Sequence, residues 1–139
     1  MQINSLSDIV AFIDSSYTGF LATKGTCGNP RVRPVQSALV HNDRIYFATS
    51  IHKNLYKHIQ NHSGIEYCTC LDDGSFLRLR AEARIANHID AKEAMMERYS
   101  SIKQKYKSPE NPDFAVFYLE NISAQWQKGS ERVTFTQEF

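Results

Sequence analysis

A chain of 139 residues and 15.9 kDa is the size of one domain and excludes a second large one. Its 42% hydrophobic and 22% charged residues, with 6 Gly and 4 Pro, exclude a disordered or collagen-like chain and leave a single globular domain over residues 1–139. Lys plus Arg number 16 against 15 Asp plus Glu, a formal +1, so no global field recruits nucleic acid or an anionic membrane, and any charge-based function is local.

The first segment, Ser5 to Ser16, carries Leu6, Ile9, Val10 and Ile13 at the offsets of one helix face, with Ser5 and Asp8 in capping spacing. It is expected as a lid helix with one buried stripe. GFLATK, a TCGNP turn, RVRPVQSALV, a turn at His41-Asn42-Asp43 and RIYFATS follow, rich in β-branched and aromatic residues, and predict a three-strand meander. A short helix begins near His52 and closes at Asn61, Ser63 and Gly64. IEYCTCL and FLRLRAEARIA flank Asp72-Asp73-Gly74 as a second hairpin. Asp90 to Ile102 reads as one helix capped by Asp90, showing Ala91, Ala94, Met95 and Ile102 to the core. After the loop KSPENPD, FAVFYLENISAQWQ and RVTFTQEF supply the last strands, with a bend expected near Glu120 to Ile122. Six or seven strands with helices between hairpins predict a mainly β, α+β fold: a small antiparallel barrel, whose closure would remove exposed edges.

No run approaches the roughly 18 apolar residues of a membrane helix, and MQINSLSDIV has neither the basic start nor the apolar run of a signal peptide, so a cytoplasmic protein is expected. Three cysteines are an odd number, and Cys68 and Cys70 have a spacing that suits neither a disulfide framework nor a CxxC pair. On a strand they would share one face, and they are expected as buried small hydrophobes in a reducing compartment.

The informative stretch is Arg31 to His62. Between Leu21 and Gln60 stand Lys24, Arg31, Arg33, Arg44, Lys53 and Lys57 against Asp43 alone, so the positive excess is concentrated there. Thr49-Ser50-Ile51-His52-Lys53-Asn54 crosses from a strand into a helix, where unpaired amides and the helix dipole favour negative charge. No Asp or Glu occurs from Ser50 through His62. Arg33, on the neighbouring strand, could reach the same corner, giving two cations, two hydroxyls and free amides: a phosphate cradle. The plainer reading, Lys53 and Lys57 as a solvated helix face and Arg33 as a surface strand residue, stands beside it.

Other candidates are weaker. His58 and His62 are four apart, but the glutamate of an HEXXH zinc motif is absent, and no metal is expected. No GxSxG, P-loop or Rossmann glycine pattern supports covalent or nucleotide chemistry of those kinds. Trp126, the only tryptophan, suits either the core or an interface or planar ligand. Arg78, Arg80 and Arg84 alternate with Glu82 on one strand face, as in a ladder of cross-strand ion pairs; a stacking platform for nucleic acid is the alternative.

In the order GNPRVRPV, IYFATSIHKN with its helix, FLRLRAEARI and FAVFYLENISAQW, the chain resembles the pyridoxamine 5'-phosphate oxidase-like family of FMN-binding split barrels, most closely its small nitroimidazole-resistance and general-stress members. The resemblance implies an FMN phosphate held by Arg33 and Lys53; the strand-to-helix segment adds Ser50 and Asn54 as expected cofactor-binding residues. The resemblance further implies a backbone at Pro34, Val35 and Gln36 running along the flavin ring, Thr49 at the end of the third strand, and Trp126 reaching the flavin of a second subunit in a homodimer. It also implies an oxidoreductase passing NAD(P)H electrons to a small acceptor, with a low-turnover stress or redox sensor as the alternative. One departure bears on activity: after the family's tryptophan comes an arginine, here Arg132, but the histidine and second arginine of true pyridoxamine phosphate oxidases appear as Thr134 and Thr136. Vitamin B6 oxidation is therefore not expected.

Overall fold

In the computed structural model, which describes residues 3–139, the elements run α1 (Leu6–Ser15), β1 (Phe20–Lys24), β2 (Pro30–Pro34), β3 (Ala38–His41), β4 (Arg44–Ser50), α2 (Asn54–Asn61), β5 (Gly64–Cys70), β6 (Phe76–Ile85), α3 (Ile89–Arg98), α4 (Ser100–Tyr106), β7 (Phe114–Lys128) and β8 (Glu131–Gln137). All pairings are antiparallel, in the order β2-β1-β5-β6-β7-β4-β3, with β8 added to β7. This is an α+β, mainly β split barrel with eight strands rather than six or seven. The hydrogen-bonded path ends at β2 and β3 instead of closing, and the β2 edge is blunted by Pro30 and Pro34.

RVRPVQSALV is two strands, not one, because the chain leaves β2 at Pro34 and crosses to the opposite sheet edge. The crossing is bolted down: the Val35 amide donates to the Gly19 carbonyl at 2.9 Å, and the Tyr67 hydroxyl donates to the Val35 carbonyl at 2.8 Å. Gly19 must be glycine, since a Cβ there would lie 1.7 Å from the Tyr67 hydroxyl. The expected three-strand meander is thus two hairpins, β1–β2 and β3–β4, on opposite edges. Asn42 and Asp43 close the second with φ of 50° and 58°, the paired positive values of a type I′ turn.

The 15-residue β7 is the spine. Its first half pairs with β4 and its second with β8, and the change of partner falls at Asn121, where φ is 53° and the register with β6 slips. That is the bend expected near Glu120 to Ile122. Helix α1 is capped by the Ser5 hydroxyl, which accepts from the Asp8 amide, and buries Leu6, Ile9, Val10, Phe12 and Ile13 against the barrel. The main core joins these to Phe47, Tyr67, Leu77, Leu79 and Phe117. A second cluster, with Tyr46, Met95, Met96, Tyr106 and Phe114, seats the two helices that precede β7.

Those two helices replace the single one expected over Asp90 to Ile102. His88, not Asp90, is the N-cap residue, and the helix breaks at Tyr99. The expected inward residues Ala94 and Ile102 are half-buried, while Met96 and Lys92 are buried. Cys68 and Cys70 do share a face, but it is the outer one, and all three cysteines are free and exposed rather than buried. No helix among the described residues is long and apolar enough to cross a membrane.

Candidate functional site

A cavity of about 860 Å³ opens between β2, the β4–α2 corner and α4, within the roughly 300–1,000 Å³ range of small-molecule sites. Its lining includes Arg31 and Arg33 from β2, Lys53 at the start of α2 and Lys105 from α4. No carboxylate lines it, and among the described residues none of the four cations forms an ion pair. A chain of net charge +1 therefore concentrates four positive groups around one hollow. That raises the local concentration of anions.

The strand-to-helix corner is built as the sequence suggests. Lys53 is the N-cap residue of α2, with no side-chain cap and no acid in the first turn, and its amide donates to the Ser50 carbonyl at 3.0 Å. Desolvation against the cavity, then the charge of Lys105, pulls the Lys53 ammonium down from the ordinary lysine value. Asn54 also lines the cavity. Ser50 does not: it is buried in the turn, its hydroxyl accepting from the His52 amide at 3.2 Å.

Arg33 is half-buried and fixed on neutral acceptors. Nη1 donates to the Leu21 carbonyl at 3.1 Å and to Thr23 Oγ1 at 2.8 Å, and Nη2 lies 3.0 Å from His58 Nδ1. Burial, then Arg31, lowers its pKa from the ordinary arginine value. Desolvating a guanidinium without a counter-charge is costly, and a bound anion would offset that cost.

Thr49 adds an independent sign. It lines the cavity at 3% exposure, and its hydroxyl has no hydrogen-bond partner among the described residues. Leaving such a group unpaired costs about 1–3 kcal/mol. A ligand with polar edges would satisfy it.

Pro34, Val35 and Gln36 line the same cavity. The Gln36 side chain has a structural duty besides: its Oε1 accepts from the Gly19 amide at 2.7 Å and its Nε2 donates to the Ile13 carbonyl at 2.8 Å. Like Ser50, Trp126 is an expected site residue that does not line the cavity. It is 3% exposed in the core of its own subunit, opposite Leu77 and Val133, with its indole N–H unpartnered. A ring so enclosed has no face to offer a neighbouring subunit in this conformation. Arg132 bonds Gln127 at 3.5 Å and is likewise outside the cavity lining.

Sequence reasoning missed several lining residues. Lys105 and Tyr106 lie on α4, beyond the expected helix end, and Cys27 sits in the turn before β2. The Asn29 backbone N–H, then Arg31, lowers the Cys27 pKa; Arg31 Nη2 is 3.6 Å from its sulfur. His58 is buried on Thr23 and Arg33, whereas His62 Nδ1 accepts from the Gly64 amide, so the two do not converge on a metal. Among the described residues no cluster of three His, Cys, Asp or Glu could hold one. Two of the three β6 arginines form the expected ladder, Arg78 pairing with Glu66 at 3.9 Å and Arg84 with Glu82 at 3.5 Å and with Glu120, whereas Arg80 has no ion pair among the described residues.

The family model described as pyridoxamine 5'-phosphate oxidase matches residues 6–125. The chain belongs to that family. Its fold is shared by a NimC/NimA family protein from Clostridium acetobutylicum, at 23% identity over 95% of this chain and 92% of the other, with a TM-score of 0.88. General Stress Protein 26 from Bacillus anthracis is similar at 17% identity, 93% and 97% coverage and a TM-score of 0.74. So is a heme binding protein from Mycobacterium smegmatis, at 16% identity and a TM-score of 0.74, covering 98% of this chain and 59% of that one. At these identities the likeness is one of fold. No curated protein sequence matches the chain.

Proposed function

We propose that this member of the pyridoxamine 5'-phosphate oxidase family is an FMN-dependent oxidoreductase that passes electrons from NAD(P)H to a small planar acceptor such as a quinone or nitroaromatic. The observation that carries the reading is a carboxylate-free cavity lined by Arg33, Lys53 and Thr49, whose buried hydroxyl is unpartnered among the described residues. Arg33 and Lys53 would hold the phosphate, and the Pro34–Gln36 backbone, fixed through Val35 to Gly19 and Tyr67, would carry the planar part. The cofactor, when bound, supplies hydride or electron transfer; the chain supplies position, dryness and charge.

A second copy of the chain is the proposed outer wall. The cavity rim includes Val32, 67% exposed, on the same outer face as Phe20, 48% exposed, which is paired with Pro34. An exposed apolar rim beside a half-open site fits a homodimer with the ligand at its interface. Trp126 is not part of that proposal, since its own core encloses it.

Denaturing the purified protein and identifying the released small molecule tests the reading: FMN supports it, and a colourless protein that cannot be loaded with FMN overturns it. Anaerobic addition of NADH then separates an oxidoreductase, whose flavin bleaches, from a flavin-binding sensor, whose flavin stays oxidised.

A further inference from the structure

His58 is a buried histidine on α2 that no ion pair and no metal accounts for. Its Nδ1 is 2.8 Å from Thr23 Oγ1 and 3.0 Å from Arg33 Nη2. A guanidinium has only donors, so Nδ1 must be an acceptor here, and the ring proton of the neutral imidazole belongs on Nε2. Thr23 completes a closed triangle. Its oxygen accepts from Arg33 Nη1 at 2.8 Å, which turns its own proton toward His58. Three side chains from three elements thus determine one another's orientation, and two of them are uncharged.

The surroundings keep the ring neutral. The charges acting on it are Arg33 and Arg31, both cationic and both from β2; β1 presents the Thr23 hydroxyl, and the buried residues of β6 (Leu77, Leu79, Ala81 and Ala83) and of β4, which also pack against α2, carry no charged group. Burial first, then these two arginines, lowers the His58 pKa from its ordinary value. A carboxylate in the same place would have paired with Arg33 and cancelled its charge. A neutral acceptor still orients the guanidinium, less strongly than a carboxylate would, and leaves that charge available to a ligand.

We propose that His58, as its Nε2–H tautomer, is a positioning residue that with Thr23 aims the Arg33 guanidinium into the cavity and thereby sets the affinity for a ligand phosphate. This rests on the phosphate reading above and assigns the part of the chain that makes Arg33 competent for it. His58 also lines the cavity, but its Nδ1 is engaged by Arg33 and Thr23, and the role assigned to it is exerted through Arg33.

Two measurements test it. In ligand-free protein at neutral pH, ring 15N NMR should show His58 protonated at Nε2 and bare at Nδ1; a proton on Nδ1 overturns the proposal. In apo-protein titrations, His58→Leu should weaken FMN about tenfold, the value of one charge-assisted hydrogen bond, and leave riboflavin within about twofold. His58→Asn, whose amide oxygen can take the Nδ1 position, should recover most of the loss, and Thr23→Val should give an intermediate one. Placed on an Arg33→Ala background, His58→Leu should cost nothing further. Equal losses with and without Arg33, or equal losses for riboflavin, overturn the positioning role. If the wild-type protein itself binds FMN no better than riboflavin, the phosphate reading fails and the affinity role with it, while the nitrogen pattern still decides the tautomer.

Discussion

The Tyr99 hydroxyl donates to the Ala38 carbonyl at 2.6 Å, tying the break between α3 and α4 to the first residue of β3. Tyr99 lines the cavity, and burial, then Asp14, pushes its pKa up to about 12. Tyr99→Phe should lower stability by about 0.5–1.5 kcal/mol and speed amide exchange in α4 more than in β5 or β6, because the cavity wall loses its tether while the sheet keeps its ladder. Uniform acceleration across the chain would show that the bond anchors the whole fold instead.

Gln36 binds the end of α1 to the start of β1 through the Ile13 carbonyl and the Gly19 amide. Gln36→Ala should destabilise by about 1–3 kcal/mol, since the Gly19 amide is left without a mate, while the Ile13 carbonyl keeps its bonds from the Ser16 amide and hydroxyl. Denaturant unfolding monitored by circular dichroism measures it. A change near zero would mean that water replaces the amide at no cost.

Stability should fall in mild acid through His58. Its folded pKa lies below the ordinary value of 6.5, so on acidification the unfolded chain takes up a proton that the folded protein still refuses. The contribution is complete above about pH 6.5 and declines as pH falls toward the folded value. His58→Asn should flatten that limb of the curve. Asp73, held at about 2 from an ordinary 3.8 by Ser75 and then Lys128, acts in a separate, more acidic window: its contribution is present above 3.8 and lost toward pH 2.

Cys27 should be alkylated before Cys68. The Asn29 amide and Arg31 favour its thiolate, whereas burial raises the Cys68 thiol despite the exposure of that residue's surface. Mass spectrometry of a short iodoacetamide time course at neutral pH gives the order. Because Cys27 lines the cavity, bound ligand should slow its reaction and leave Cys68 unaffected.

What could be read from sequence was local. The capped α1, the Asn42-Asp43 turn and the kink at Asn121 are written in neighbouring residues, and each is found. The two-helix break at Tyr99 was hidden because no Gly or Pro marks it; its partner, Ala38, is 61 residues away. RVRPVQSALV looked like one strand because Pro34 alone does not announce a crossing to the other sheet edge. Cys68 and Cys70 take the outer face because Ile65, Tyr67 and Thr69 take the inner one, and a buried Thr69 is tolerated by its bond to the Thr18 carbonyl, which alternation alone does not reveal. At the site, Arg33 and Lys53 were visible as a local charge excess. His58, Lys105 and Cys27 join them only through the fold, which brings α2, α4 and the turn before β2 around one hollow.

The claim on which the functional account stands is that Arg33 and Lys53 clasp a phosphate. Dissociation constants of FMN and riboflavin, measured side by side on apo-protein, test it most directly. The account predicts that Arg33→Ala and Lys53→Ala each weaken FMN by about tenfold to a hundredfold, as expected for losing about 1.5–3 kcal/mol of charge-assisted hydrogen bonding, and leave riboflavin nearly unchanged. Equal weakening of both ligands, or of neither, would contradict it.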